Sequence, residues 1–163
     1  EYMNIEGQEY EAFTTSGGLG TMCSTFEGKV DTLNYKTIRY PGHGKLMRFL
    51  MYEMVMKEDL QQLEKILTTA KPPVEEDLVH VYAVVEGMID GRMQRKEFFQ
   101  TYFPIEIHGK IWRAISWTTA ASLVAIVEMV ASGTLPQKGF IKQEMISLSD
   151  FYTTTCGSLL QPK

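Results

Sequence analysis

The chain has 163 residues, 44% of them hydrophobic and 22% charged, ordinary proportions for a globular protein. A chain this long buries about two-thirds of its unfolded surface, so a single domain spanning 1–163 is expected. Twenty acidic against 16 basic side chains give a net charge of −4, which argues against nucleic acid as a partner. The only cysteines, Cys23 and Cys156, are far apart and lack metal-ligand spacing, which points to two reduced thiols in a cytoplasmic protein.

Residues 2–13 alternate loosely, with Tyr2, Tyr10 and Phe13 among polar neighbours and Gly7 as a turn, and predict two short strands or a hairpin. Thr14 to Gly20 is then a loop, and Thr21 to Glu27 one or two helical turns closed by Gly28. A strand is expected over 30–39, with Leu33, Tyr35, Thr37 and Arg39 on one face. Pro41-Gly42 supplies turn residues, and a helix should start near His43. Leu46, Met47, Phe49, Leu50, Tyr52, Met54 and Val55 make that helix apolar on most sides, so it is expected to be buried. A second helix is expected over 58–69, with Leu60, Leu63, Ile66 and Leu67 as its inward stripe, ended by Pro72-Pro73.

Residues 78–90 and 92–103 read as two strands joined by Asp90-Gly91, a strong hairpin signal. Ala120 to Ala131 is almost wholly apolar but shorter than the roughly 20 residues a bilayer needs, and it carries Glu128. A central buried helix over 117–132, stopped at Gly133, is therefore expected, and no membrane partner. Ser147 to Asp150 resembles a capping box and starts a last helix. Hairpin-paired strands with helices grouped between them give an α+β class, a mostly antiparallel or mixed sheet with helices on one face.

Two blocks carry more functional information than the rest: Tyr10-Glu-Ala-Phe-Thr-Thr-Ser-Gly-Gly-Leu-Gly-Thr21 and Tyr35-Lys-Thr-Ile-Arg-Tyr-Pro-Gly-His43. Each sets polar side chains against glycines or a Pro-Gly turn at the end of a strand, where binding chemistry tends to sit. In this order and spacing they resemble the substrate-side domain of the saccharopine dehydrogenase and lysine dehydrogenase family. Gly133-Thr-Leu-Pro-Gln-Lys-Gly-Phe-Ile-Lys-Gln-Glu144 resembles the same family near its C-terminus. The resemblance implies an NAD- or NADP-dependent oxidoreductase acting on a C–N bond of a lysine-derived amino acid. It also implies the α+β sheet domain given above. Saccharopine dehydrogenases, lysine 6-dehydrogenases and polyamine-forming relatives share these features alike.

Members of that family carry an N-terminal Rossmann domain, and this sequence has no strand followed by Gly-x-Gly-x-x-Gly and a helix. The chain is thus expected to be a C-terminal substrate-binding and dimerisation domain, with no dinucleotide bound to it alone. A homodimer is expected, with the 78–103 hairpin as its contact. A non-catalytic oligomerisation or small-molecule-binding module is the alternative.

Arg39 is the first candidate for substrate contact, since a guanidinium at a strand end could pair bidentately with a carboxylate. A structural arginine bonded to loop carbonyls would use the same position. Thr14, Thr15 and Ser16 with Gly17 and Gly18 offer hydroxyls and closely approachable backbone N–H groups to an anion, or form a plain strand-to-helix connection. By the resemblance, this loop borders the substrate pocket. His43 suits a substrate hydrogen bond, a proton relay or a capping role, and is the one weak catalytic candidate. Glu11 and Glu86 lie in apolar strands, where either could pair with Arg39 or Lys36, and for Glu86 a structural pairing is expected. His80 and His108 share no spacing with cysteines or carboxylates, so no metal site is expected.

Overall fold

A computed structural model describes residues 1–15 and 17–162. The class is α+β, with three small antiparallel sheets and several helices among the described residues. The chain forms two compact units, Glu1–Pro73 and Val74–Lys163.

In the first unit, β1 (Tyr2–Ile5), β2 (Gln8–Phe13) and β3 (Thr37–Arg39) form one sheet in that order. Ile5, Tyr10 and Ala12 are buried, as the period of two requires. Between the strands lies a short helix, α1 (Met22–Phe26), followed by Gly28 at φ +69°. The expected strand over 30–39 is only three residues long. Its ladder opens at Phe13 opposite Thr37, and β2 ends at Phe13, so the residues before Thr37 have no strand to pair with.

After β3 come α2 (His43–Arg48) and a single π-helical turn, Phe49–Glu53, in which Met54 N–H donates to the Phe49 carbonyl five residues back at 3.0 Å. The expectation that this helix is buried fails: Leu46, Phe49, Tyr52 and Met54 are all more than half exposed. An apolar surface running right round a helix cannot be covered by one three-stranded sheet. A 3₁₀ turn (Met56–Glu58) leads to α3 (Leu60–Ala70), capped by Asp59 Oδ1, which accepts from Gln62 N–H at 3.0 Å. Only Leu63 of its expected inward stripe is buried.

In the second unit, β4 (Val79–Ile89) and β5 (Arg92–Tyr102) form a long two-stranded ribbon. Asp90 and Gly91 have φ of +51° and +75°, the left-handed pair that a type I′ hairpin needs and that glycine takes without strain. A further hairpin, β6 (Ile105–Ile107) and β7 (Lys110–Trp112), turns the same way at His108-Gly109. It was not expected, because each strand is three residues long and leaves no readable alternation.

The apolar helix α4 spans Ala114–Ala131, opening three residues before the expected start at Trp117. Asp77, far away in sequence, accepts from the N–H groups of Ala114 (2.6 Å) and Ile115 (2.9 Å) and so anchors the extra turn. At 18 residues and mean hydropathy 1.6, α4 reaches the length and apolarity of a membrane span, with 33% of it buried. Its stripe Ala114, Trp117, Ala121, Ala125 and Met129 is buried, while Ile115, Leu123, Val124 and Val127 are exposed. Trp117 and Ala121 join Tyr102 and Leu160 in the core of this unit.

The α4 helix gives way to Ser132 and Gly133, the latter at φ +78°, close to the expected stop. The last helix, α5 (Leu148–Thr153), starts as expected, with Ser147 Oγ accepting from Asp150 N–H. The Glu128 carboxylate accepts from the N–H groups of Thr155 (2.7 Å) and Cys156 (3.1 Å), which hold its carboxyl below the ordinary range. That capping role explains a charge in an apolar helix. Burial, with Glu128 adding to it, pushes the Cys156 thiol up, and neither cysteine is bridged.

Candidate functional site

The β2–β3 register places Glu11 opposite Arg39 and Phe13 opposite Thr37. Directly opposed residues of an antiparallel pair share a face, so Glu11, Phe13, Thr37 and Arg39 stand on one side of this sheet. That is the side on which α2 begins.

Glu11 does not pair with Arg39 or Lys36. Its carboxylate accepts from the backbone N–H groups of Gly42, at 2.9 Å, and of Gly44. The Gly44 bond, more than the Gly42 bond, holds the Glu11 carboxyl below the ordinary range against a smaller opposing effect of burial. A Cβ at Gly44 would stand 3.4 Å from Glu11 Oε1 and 3.5 Å from the Phe13 ring, at ordinary contact distance. Next to it the His43 ring stacks on Phe13, centroids 6.1 Å apart at 15°. His43 is therefore fixed by a carboxylate-capped turn and an aromatic platform.

The carboxylate that orders this turn gives a pH prediction. A folded-state pKa below the unfolded value means the contact stabilises fully above the ordinary glutamate range and is lost as pH falls through the lowered value. Hydrogen-exchange protection at Gly42 and Gly44 should therefore fall on acidification below that range. Glu11→Gln, with one acceptor oxygen in place of two, should weaken protection at neutral pH and remove its acid dependence. Protection that is equally pH-dependent in the variant would show that another group orders the turn.

Among the other expected residues, Thr15 Oγ1 lies 2.8 Å from Thr37 Oγ1, tying the loop after β2 to the start of β3. Thr14 is exposed. Ser16 lies outside the described residues. Gly17 abuts Tyr35, where a Cβ would be 3.4 Å from the ring, and Gly18 has open space around it. Arg39 is exposed and donates through Nη1 to the carbonyl of Ile38 at 2.8 Å. Among the described residues no carboxylate pairs with it. Lys36 instead bridges Glu1 at 2.7 Å, and Glu86 bridges Arg95 at 2.6 Å.

A feature the sequence reading did not single out adjoins His43. Phe13, Met47, Met51 and Tyr52 wall an open cleft of about 600 Å³, with His43 and Gly44 at one end and Arg48 and Glu53 also lining it. The methionines recur four apart on α2 and the π turn, a spacing that reads from sequence as ordinary core. Half-burial of Met47 and Met51 beside exposed Arg48 and Glu53 makes it a cleft wall instead. His80 is elsewhere, its Nδ1 2.9 Å from Thr101 Oγ1 across the β4–β5 ribbon. Among the described residues no three His, Cys, Asp or Glu side chains could hold a metal ion together.

The sheet face thus offers an arginine without a carboxylate partner, a threonine pair, a platform-held imidazole and an adjoining apolar cleft. Such a set could bind an amphiphilic anion and donate or accept a hydrogen bond at the imidazole. No family model matches this chain, and no solved structure matches it.

Proposed function

We propose that the chain is the substrate-binding and dimerisation domain of an NAD- or NADP-dependent oxidoreductase acting on a C–N bond of a lysine-derived amino acid. The observation that carries the reading is the shared face: the two family-like blocks pair as β2 and β3, with Phe13, Thr37 and Arg39 on one side and His43 stacked on Phe13. In this reading Arg39 takes a substrate carboxylate as a bidentate pair. The threonine loop borders the pocket, and His43 hydrogen-bonds the substrate or relays a proton. The dinucleotide, held by a separate Rossmann domain, supplies the hydride chemistry; this chain contributes orientation. A cytoplasmic location goes with the same proposal.

Calorimetric titration with saccharopine, lysine and glutamate tests this. Binding that Arg39→Ala abolishes supports it. A folded chain that binds none of the three would favour a non-catalytic module.

The dimer contact belongs on β4. The β5 edge carries Arg92, Arg95, Lys96 and Glu97, the kind of charge that protects an edge from pairing. The β4 edge carries only Glu86, with Val81, Val84, Val85, Met88 and Ile89 exposed. An antiparallel two-fold pairing of β4 with its copy, centred on Val84, sets Glu86 opposite Tyr82 and Val85 opposite Ala83, so no like charges meet. Combining Ala83→Glu with Val85→Glu would place carboxylates against each other across the axis. In its own hairpin, position 85 faces Lys96 and position 83 faces Phe98. Sedimentation velocity should then show a dimeric parent chain and a monomeric variant. A variant that stays dimeric would move the contact elsewhere.

A further inference from the structure

The π turn forms a wall of the cleft beside His43. In an α-helix, residues five apart are displaced about 140° round the axis. In a π turn they stand nearly above one another, and such turns recur at functional sites. Arg48 and Glu53, five apart, accordingly line the same cleft. Val55, two residues past the turn, has a φ of +56°, an outlier for a β-branched residue. Both charged side chains are exposed, and among the described residues neither forms a hydrogen bond or ion pair. A cation and an anion are therefore presented together over walls of Phe13, Met47, Met51 and Tyr52.

We infer that Arg48 and Glu53 read the head group of an α-amino acid, guanidinium to carboxylate and carboxylate to ammonium, while its aliphatic side chain lies along Met47 and Met51. Thioethers suit an unbranched chain because they adapt to irregular apolar shapes. The inference rests on the substrate-site reading above and adds two specificity residues to it.

Norleucine carries the head group and a four-carbon stem but no reacting nitrogen, so it probes this pair without turnover. Hexanoate lacks its ammonium and pentylamine its carboxylate. Titrated onto the chain and followed by amide chemical shifts, norleucine should bind about 10-fold or more tighter than either, each charged hydrogen bond being of that worth. Arg48→Gln should erase its advantage over pentylamine, and Glu53→Gln its advantage over hexanoate. Both positions are exposed, so both variants should keep the parent circular dichroism spectrum. Equal affinity for all three probes, or preferences untouched by the two variants, would overturn the assignment. Norleucine selectivity in a protein that never reduces nicotinamide would leave the pair standing and remove the oxidoreductase reading. Turnover without head-group preference would do the reverse.

Discussion

Under the proposed function, Arg39→Ala is expected to lower kcat/KM for a carboxylate-bearing amino acid by about 100-fold, a loss in the range measured when one partner of a charged hydrogen bond is truncated. Stability should barely move. The side chain is exposed and its bond is to the carbonyl of its own neighbour, Ile38, so truncation leaves no buried partner orphaned. Arg39→Lys should recover only part of the loss, because an ammonium cannot form the two parallel bonds of a guanidinium fork. His43→Ala should separate from it by lowering kcat across neutral pH, where Arg39→Ala acts on binding. Arg39→Ala with unchanged kcat/KM would make the arginine a surface residue; unchanged turnover in His43→Ala would remove the imidazole from the chemistry.

Trp117→Ala should be the most destabilising single substitution in the second unit, at about 3–5 kcal/mol. Trp117 is 5% exposed, its indole N–H donates to the Phe103 carbonyl at 2.8 Å, and its ring meets Tyr102 edge-on with centroids 5.5 Å apart. The Tyr102 hydroxyl in turn donates to the Leu160 carbonyl at 2.8 Å, and burial keeps that phenol above its ordinary pKa range and so neutral. Removing the indole therefore opens a cavity where β5, α4 and Leu160 converge, and takes away the indole N–H that the Phe103 carbonyl accepts from. Urea unfolding followed by near-ultraviolet circular dichroism measures the loss. A cost below about 1 kcal/mol would mean that the core of this unit lies elsewhere.

What the sequence shows well is what local chemistry decides. Asp90-Gly91 fixes a hairpin because its backbone angles are nearly obligatory, and Ser147 fixes a helix start by one hydrogen bond to Asp150 N–H. Contacts between distant positions were not readable. Asp77 capping α4 and Glu11 capping the turn before α2 span 37 and 31 residues, and nothing in either neighbourhood names the partner. Glu11 is the instructive case, since a carboxylate in an apolar strand does need a partner, and backbone N–H groups met that need as well as a cation would. For the site, Arg39, His43 and the threonine loop stood out because turn residues flank them. Arg48 and Glu53 did not, because periodicity assumes 3.6 residues per turn and a π turn breaks that assumption.

The most direct test of the oxidoreductase assignment is turnover. The complete reading frame containing this chain would be assayed with lysine and with saccharopine, each with NAD⁺ and NADP⁺, following reduced nicotinamide at its absorbance band. The expected result is formation of reduced nicotinamide with one amino acid and one dinucleotide, abolished or strongly slowed in Arg39→Ala. A folded protein with a Rossmann domain that stays silent with every pair would contradict the assignment and leave the α+β fold as the surviving conclusion.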